Sequence, residues 1–384
     1  MVLNTKDNKL KLAFIVNVDW YFNLHWVERA LYFKSSGFDI YIVGYFSNND
    51  IKNDLIGYGF KCYDLLIKRN SLNLLCELKL LFQLTKILRI INPDIIHCIT
   101  IKPNIYTGII NKLFFSKPII YSVTGTGAVF SSSSKKFKIL KIITSLLYRF
   151  ISTDKSRFIF ENGDDYSLFN HINVLKNNGV VIKGAGIDLD KFIPTEPNLK
   201  GNILFAARLL RDKGLYALVE AKKLLLERGV DFSLNVAGII DTDVSSAIPI
   251  QQIEAWEKDG CINWLGSVKD MPKLISMNDI VCLPTIYGEG VPRILIEAAS
   301  CQRAIIATDV AGCREIVTHG VNGFLVEPGS VTSLSDNIEA LLSDKENIYK
   351  FGIQGRLLVE REFAQHIVFD KTFRQYQSLL AYTQ

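Results

Sequence analysis

Residues 279–300 read DIVCLPTIYGEGVPRILIEAAS, an apolar run followed by a glycine-containing loop and a second run with helical spacing. The first six residues form a short, mainly apolar run, as expected of a buried strand in a parallel sheet. Pro292 suits the first turn of a helix, which we expect over 291–300. The stretch therefore predicts one strand–loop–helix unit, with Glu289 before the helix and Glu297 inside it.

The same unit repeats along the chain. Apolar runs such as LAFIVNV (12–18) and DIYIVG (39–44) alternate with helical patterns, and the alternation starts again at NILFAA (202–207). Strands joined by helices require right-handed crossovers, which produce a parallel sheet with helices on both faces. We therefore predict an α/β fold with two Rossmann-like, doubly wound parallel-sheet domains, whose strand ends face a cleft.

The join between the two halves, near 184–200, is rich in Gly, Pro and Asp, as linkers are. We predict an N-terminal domain over 1–183 and a C-terminal domain over 184–355. A C-terminal helix over 356–384 is expected to pack back on the N-terminal domain. The chain of 384 residues is long enough for two such cores.

The net charge of +5 is modest, but basic residues are concentrated in the segments 67–91 and 131–152, where they alternate with Ile, Leu and Phe. Such helices suit an anionic membrane surface, although core-packed helices with solvated faces give the same pattern. No apolar run reaches the roughly 18 residues of a spanning helix, and no signal peptide is expected. We expect a peripheral protein that stays in the cytosol and contacts a membrane surface, with no nucleic-acid partner.

Metal and redox sites are not favoured by the sequence. The seven cysteines are scattered without a CxxC pair, which argues against a disulfide framework or a zinc site. Two Asp-x-Asp pairs, at 188–190 and 241–243, are of a kind that can hold a divalent cation. Because nearby cations already supply positive charge, we expect no metal and no cofactor.

The dinucleotide fingerprint G-x-G-x-x-G is missing after the first strand, where residues 15–25 contain no glycine. A nicotinamide enzyme is therefore disfavoured. TGTG at 124–127 follows a strand, but alone it indicates only a tight turn.

Charged residues follow the strands of the second half. Arg208 and Lys213 come where a strand passes into a helix, which is the carboxyl edge of the predicted sheet. Two cations at that edge can neutralise a diphosphate. The amides of Arg293 and Ile294 at a helix start can donate to an anion. Carboxylates such as Glu289 accept hydrogen bonds from sugar hydroxyls.

The chain resembles the family 4 retaining glycosyltransferases, which have the two-domain GT-B fold. The motifs that carry the resemblance are KGAGIDLDKFIP (183–194), ARLLRDKG (207–214), WLGSVKDMPKLISMNDIVCLPT (264–285), EGVPRILIEAAS (289–300), AIIATDVAGCREIVTHGVNGFLVEPG (304–329) and VEREF (359–363). In the first half, VNVDWYFNLHW (16–26), PDIIHCITIKPNIYTG (93–108) and VTGTGAVF (123–130) look like a bacterial subgroup that extends undecaprenyl-diphosphate-linked oligosaccharides for O-antigen or capsule.

This resemblance implies a hexosyltransferase that transfers a hexosamine-type sugar from a UDP-sugar to a lipid-diphosphate-linked glycan, with an α linkage and no metal. The N-terminal domain would bind the acceptor and the C-terminal domain the nucleotide sugar. Two alternatives stay open at this point: a UDP-sugar 2-epimerase, and a non-catalytic, membrane-associated subunit that binds nucleotide sugar.

The resemblance also assigns roles to residues. Glu289, with Arg208 and Lys213, would form the reacting centre, and Glu297 would hold the ribose. The other donor-binding positions are Gly186, Ser267, Val268, Gly290, Val291, Arg293 and Ile294. The chain departs from the family after the first strand, where Asn17 to Trp20 replace the usual glycine pair, and at Thr124 and Gly125, where the family pattern has a histidine. Thr124 and Gly125 are then candidates for an amide-lined wall of the cleft. The remaining polar candidates for contact with the acceptor or the cleft in the first domain are Asp19, His25, His97 and Lys102.

Overall fold

The computed structural model describes residues 9–67, 74–131, 134–241 and 246–382. The chain divides into an N-terminal unit, formed by 1–185 and 366–384, and a C-terminal unit formed by 186–365. The first crossing lies at 185 rather than at the expected 183.

In the N-terminal unit, parallel strands form one seven-stranded sheet. The strands are β1 (Leu10–Val18), β2 (Phe38–Tyr45), β3 (Lys61–Asp64), β4 (Ile95–Ile99), β5 (Ile119–Val123), β6 (Ser156–Phe160) and β7 (Gly179–Val181). Their order in the sheet is β3-β2-β1-β4-β5-β6-β7. The register pairs Phe14 of β1 with Ile42 of β2 and with His97 of β4. The direction of strand addition therefore reverses between β1 and β4.

Helices cover both faces of this sheet, because alternate strand residues are apolar on each side. Packed on one face are α4 (Leu74–Ile91), α5 (Ile101–Ile110), α7 (Lys135–Ile151) and α8 (Gly163–His171), together with strand residues such as Ala13 and Ile15. The opposite face, with Leu12 and Phe14, carries α1 (Asp19–His25), α2 (Val27–Ser35), α3 (Asn49–Gly57) and α16 (Gln365–Tyr382). A short α6 (Gly127–Ser131) follows β5, and a π-helical turn (Asn111–Phe115) extends α5.

The C-terminal unit repeats the plan with a six-stranded parallel sheet. Its strands are β8 (Asn202–Ala206), β9 (Ser233–Ala237), β10 (Asn263–Gly266), β11 (Ile280–Leu283), β12 (Ala304–Thr308) and β13 (Gly323–Val326), in the order β10-β9-β8-β11-β12-β13. The helices are α9 (Leu215–Glu227), α10 (Ile250–Lys258), α11 (Met271–Ser276), α12 (Arg293–Ser300), α13 (Ala311–Ile316), α14 (Val331–Ser343) and α15 (Lys345–Glu362). The prediction of two doubly wound parallel-sheet domains is confirmed.

The C-terminal segment differs from the helix expected over 356–384. The helix α15 runs on to Glu362, and Arg356 Nη1 donates to the Phe192 carbonyl at 2.8 Å, so this part belongs to the C-terminal unit. After a break, α16 packs in the N-terminal unit, where Tyr376 is fully buried. Continuous amphipathic spacing hid this break, because both helices bury one face.

Among the described residues, no helix combines the length and apolarity needed to cross a membrane.

Candidate functional site

The strand order of the C-terminal sheet identifies its ligand-binding edge. The chain enters at β8, adds β9 and β10 on one side and then returns to the other side at β11. Open parallel sheets bind ligands at the carboxyl ends of the strands where this reversal occurs. The loops after β8 and β11 meet here, since the Ile286 amide and Thr285 Oγ1 both donate to the Asp212 carbonyl, at 2.9 and 3.1 Å.

An ion pair between Lys213 and Glu289 lies at this edge. Lys213 Nζ is 2.6 Å from Glu289 Oε1, and the two side chains are only 11% and 17% exposed. Lys213 ends a 3₁₀ turn (Arg211–Lys213), and its Nζ also lies 5.4 Å from the Tyr287 ring centroid. A largely desolvated pair of this kind holds both groups in fixed positions. The structure thus joins two residues that the sequence places 76 positions apart (289 − 213).

Gly214 allows the two loops to approach each other. Its φ is +86°, and a Cβ at this position would lie 1.9 Å from the Pro284 carbonyl oxygen. Only glycine tolerates both the left-handed conformation and this approach. The backbone around Lys213 is therefore fixed against the loop that leads to Glu289.

The helix after this loop starts later than expected. Pro292 is the residue before the first helical position, with φ −60° and ψ 119°, so its placement inside the first turn was wrong. Its extended ψ leaves its carbonyl to accept the Leu295 amide at 3.0 Å. The amides of Arg293 and Ile294 now form the first turn of α12, where backbone N–H groups have no acceptor within the helix.

Glu297 lies inside α12 and is almost completely buried. Arg293 Nε donates to Glu297 Oε1 at 2.8 Å, one helical turn away. Burial raises the pKa of Glu297, and the Arg293 guanidinium opposes that shift only in part. A carboxylate in this position is held by a cation of its own helix, and its assignment to a ribose remains a prediction.

The raised pKa of Glu297 predicts a dependence of stability on pH. In the folded state the protonated form is favoured, so folding takes up protons and stability falls as pH rises from about 4.3, the ordinary value for glutamate, through the raised pKa. Glu297→Gln removes this titration. Urea unfolding gives the free energy of unfolding of both proteins. The wild-type value minus the variant value should decrease as pH rises across that window and then stay constant. An increase with pH would mean that the Arg293 ion pair outweighs burial.

Arg208 is oriented by an acidic residue from a neighbouring strand end. Its Nη1 lies 2.9 Å from Asp241 Oδ2, and the side chain is 33% exposed. Asp241 is the first member of the pair at 241–243; the second, Asp243, lies outside the described residues. The interaction keeps Arg208 at the carboxyl end of β8, near the loop that carries Lys213.

The corresponding edge of the N-terminal sheet contains a strained residue that the sequence did not reveal. Thr100 follows β4 with φ +76°, which is rare for a β-branched side chain. Its Oγ1 accepts a hydrogen bond of 2.7 Å from Asn17 Nδ2, at the end of β1. These two residues mark the reversal between β1 and β4. The side-chain amide of Asn17 thus holds the loop after β4, a role that its sequence context does not indicate.

Asp19 and Lys102, both candidates at this edge, are held by protein partners. Asp19 is buried, and its two oxygens accept from Ser47 Oγ at 2.7 Å and from the Asn48 amide at 2.9 Å. Lys102 Nζ donates to Glu77 Oε1 at 2.8 Å. Asp19 therefore anchors the loop after β2, and a contact with substrate remains a prediction for both residues.

His97 is a core residue, so its assignment to a substrate-facing position was wrong. It lies inside β4 with no exposed surface, and its ring nitrogens contact Ser122 Oγ at 2.7 Å and Tyr376 Oη at 2.6 Å. Burial, followed by the charge of Arg29, holds its pKa well below the usual range. His25, in contrast, ends α1 with partial exposure, its ring centroid 4.6 Å from that of Tyr21.

Comparison with known families accounts for both sheets. A model described as "Glycosyl transferase 4-like" matches residues 11–162, and one described as "Glycosyl transferases group 1" matches 187–357. Together they span most of the chain. The chain belongs to the GT-B glycosyltransferases.

Two curated relatives of this glycosyltransferase act on undecaprenol-linked glycans. The N,N'-diacetylbacillosaminyl-diphospho-undecaprenol alpha-1,3-N-acetylgalactosaminyltransferase of Campylobacter jejuni is 27% identical over 84% of this chain and 87% of its own length. The UDP-Gal:alpha-D-GlcNAc-diphosphoundecaprenol alpha-1,3-galactosyltransferase of Escherichia coli is 24% identical over 72% and 73%. Among solved structures, Anabaena HepE in complex with UDP and glucose shares the fold, with a TM-score of 0.78, 17% identity, and coverage of 96% of this chain and 100% of HepE.

Other residues assigned to the donor site of this glycosyltransferase lie in several loops of the C-terminal unit. Ser267 and Val268 follow β10, which β9 separates from β8, and Ser267 is exposed. Gly186, with φ +82°, precedes Ile187 at the start of the C-terminal unit. Gly290 and Val291 complete the loop between Glu289 and α12. The roles of these positions in donor binding stay predictions.

The turn after β5 is partly exposed. Gly125 has φ +111°, and the next residue, Thr126, donates through Oγ1 to Asp165 Oδ1 at 2.9 Å. This bond fixes the turn on α8 and leaves Thr124 and Gly125 partly accessible. The glycosyltransferase thus has an ordered backbone turn at the carboxyl end of β5.

Within the described ranges, no group of three or more His, Cys, Asp or Glu side chains is placed to hold a metal ion. Asp188, from the first Asp-x-Asp pair, accepts the amides of Asp190 at 2.9 Å and Lys191 at 3.2 Å. This carboxylate therefore shapes its own turn.

Proposed function

We propose that this glycosyltransferase transfers a hexosamine-type sugar, with retention of configuration, from a UDP-sugar to a lipid-diphosphate-linked oligosaccharide in bacterial surface polysaccharide synthesis. The observation that carries the proposal is the Lys213–Glu289 pair, 2.6 Å apart at the reversal of the C-terminal sheet. The carboxylate supplies acceptor oxygens for sugar hydroxyls, and the ammonium supplies a fixed cation for a diphosphate.

The relatives support the choice of acceptor and linkage. The Campylobacter enzyme is named for transfer of N-acetylgalactosamine to a diphospho-undecaprenol glycan, and the Escherichia coli enzyme for transfer from UDP-Gal to a diphosphoundecaprenol glycan. Both names specify an alpha-1,3 linkage. Because common UDP-hexose donors are α, an α product corresponds to retention.

The residues at the edge suit a same-face displacement. An acceptor hydroxyl oxygen bonds to the anomeric carbon as the bond from that carbon to the UDP oxygen breaks, and the hydroxyl proton passes to the leaving phosphate. Negative charge develops on the diphosphate, where Lys213, Arg208 and the first amides of α12 would stabilise the transition state. No protein nucleophile is needed, and these groups make a metal unnecessary.

We also propose that the protein works peripherally at the cytoplasmic face of the inner membrane. A lipid-diphosphate acceptor keeps its anchor in the bilayer, so the enzyme must reach the membrane surface. The basic helices α4 and α7 of the N-terminal unit support this location.

A donor panel tests the proposal. Purified protein is incubated with individual UDP-sugars and bacterial membrane lipid extract, with and without EDTA, and lipid-linked products are read by mass spectrometry. We expect a mass increment of one N-acetylhexosamine or a deoxy relative, undiminished by EDTA, and an α anomeric signal in the NMR spectrum of the product.

Other results would replace the proposal. A β product would remove the retaining assignment, and loss of transfer in EDTA would remove metal independence. Conversion of a UDP-sugar without acceptor would identify a 2-epimerase. No turnover with any donor, together with nucleotide-sugar binding, would indicate a non-catalytic subunit.

A further inference from the structure

Helix α7 is apolar on much of its exposed side as well as on the side that faces the core. Its outer side carries the apolar residues Ile139, Ile142, Ile143, Leu146 and Phe150, which are between 41% and 62% exposed. The side that faces the core includes Tyr148 and Ile151 together with the small polar residues Thr144 and Ser145, all of them buried. A surface helix that faces only water carries mainly polar residues on its outer side. The outer side of α7 is therefore suited to an apolar surrounding.

The π-helical turn after α5 extends the apolar side of α7. Leu113 and Phe114 are 58% and 62% exposed. Lys112 lies between them and the end of α7, because its Nζ is 4.1 Å from the Phe150 ring centroid and donates to the Phe150 carbonyl. We call the exposed apolar residues of α7 and this turn the outer apolar face. Patches of contiguous apolar side chains on a soluble protein usually mark an interaction surface.

A basic cavity of about 240 Å³ adjoins the outer apolar face. Three lysines line it, Lys112, Lys117 and Lys155, together with the polar side chains of Asn111, Ser116, Tyr121 and Thr153 and one acid, Asp154. The cavity lies where β5 and β6 begin, so it is at the amino ends of the strands and away from the edge that carries Thr100. It is a separate site from the one described above.

The sequence that forms this region is basic over a long stretch. Residues 103–153 contain no Asp or Glu, while they contain seven basic residues: Lys112, Lys117, Lys135, Lys136, Lys138, Lys141 and Arg149. Helix α4 packs on the same face of the sheet as α7 and exposes Leu75, Leu78 and Phe82 beside Lys79. An apolar face bordered by cations matches a bilayer with anionic headgroups.

We propose that the lysine-lined cavity binds the phosphate headgroup of an anionic phospholipid while the outer apolar face enters the boundary of the acyl chains. Lysine ammonium groups are suitable partners for a phosphate, and the apolar side chains next to them would meet the chains of the same lipid. This proposal rests on the proposed function in one respect only, which is the expectation that the acceptor is bound to a membrane. Lipid binding itself needs no donor or acceptor.

Vesicle binding tests the proposal directly. Full-length protein is sedimented with phosphatidylcholine vesicles, either pure or containing about one third phosphatidylglycerol. We expect binding to the anionic vesicles only. Lys117→Gln with Lys155→Gln should weaken it about 10- to 30-fold, because each basic residue near an anionic surface contributes about fivefold. Ile142→Ser with Leu146→Ser should weaken it to a similar extent.

Matched controls use residues of the C-terminal unit. Ile353→Ser with Leu357→Ser replaces two exposed apolar residues of α15, and Lys345→Gln with Lys350→Gln replaces two exposed lysines. Neither pair should change vesicle binding. Thermal unfolding of all four variants verifies that they are folded, and transfer to a water-soluble short-chain acceptor should be unchanged in each of them.

Several outcomes would overturn the proposal, whether or not the transferase activity is found. Equal binding to neutral vesicles would exclude a headgroup site. Binding of soluble glycerol phosphate without vesicle binding would replace the lipid with a free phosphate ligand. Dissociation of a wild-type oligomer by Ile142→Ser with Leu146→Ser, seen by analytical ultracentrifugation, would assign the outer apolar face to a second copy of the chain.

Discussion

Glu289→Gln is expected to lower kcat/KM for sugar transfer by about 10²- to 10³-fold, the loss found when one preorganised electrostatic contact is removed from an active site. The same change should lower the free energy of unfolding by about 2–4 kcal/mol, because it leaves Lys213 charged in a position only 11% exposed. Steady-state kinetics and urea unfolding measure the two effects separately.

A second variant distinguishes catalysis from folding. Lys213→Met combined with Glu289→Gln removes the unpaired charge, so stability should return to within about 1 kcal/mol of wild type. Activity should stay at the level of the single variant or below. If the double variant recovered transfer together with stability, the ion pair would be structural only, and another residue would hold the donor sugar.

Gly312→Ala is expected to reduce transfer by about 10²-fold, although residue 312 is in α13 and not in the loop that carries Glu289. A Cβ on Gly312 would lie 1.4 Å from the Gly290 carbonyl oxygen and 2.8 Å from that of Glu289. The loop 289–290 must therefore move by about an ångström or more, and displacements of that size are costly for catalysis. We expect the loss in kcat/KM, and we expect the variant protein to remain folded.

The matched control is Gly57→Ala, where no atom lies within 4 Å of the new Cβ. It should keep full activity. Circular dichroism of both variants should match that of wild type. Wild-type kcat/KM in Gly312→Ala would show that contact with α13 does not set the position of Glu289, and the loop would then be positioned by its own sequence.

The fold could be predicted because the strands of a doubly wound sheet are continuous apolar runs. The runs at 12–18, 39–44 and 202–207 became β1, β2 and β8. The pattern did not reveal β3 (Lys61–Asp64) or β7 (Gly179–Val181), which have partly exposed or exposed residues at the sheet margins. Edge strands bury fewer side chains, so their hydrophobic signal is weak.

The sequence indicated the position of some residues of the candidate site but misplaced or missed others, and the reasons are physical. Glu289 and Lys213 could be placed at one edge of the sheet because each follows a strand, and the carboxyl ends of parallel strands share that edge. His97 was misplaced because a polar residue in the middle of a strand looks the same in sequence whether it faces a ligand or a buried tyrosine. Thr100 gave no signal, since its strained backbone depends on the surrounding packing.

The sequence by itself determined the α/β class, the two sheets and the residue types available at their carboxyl edges, because these depend on local periodicity and on the order of strands. Only the tertiary structure decided which charges are paired. It showed that Lys213 meets Glu289, that Glu297 is held by Arg293, and that His97 is sealed in the core by Tyr376. Such pairings depend on how elements pack together. For this reason a local sequence pattern does not reveal them.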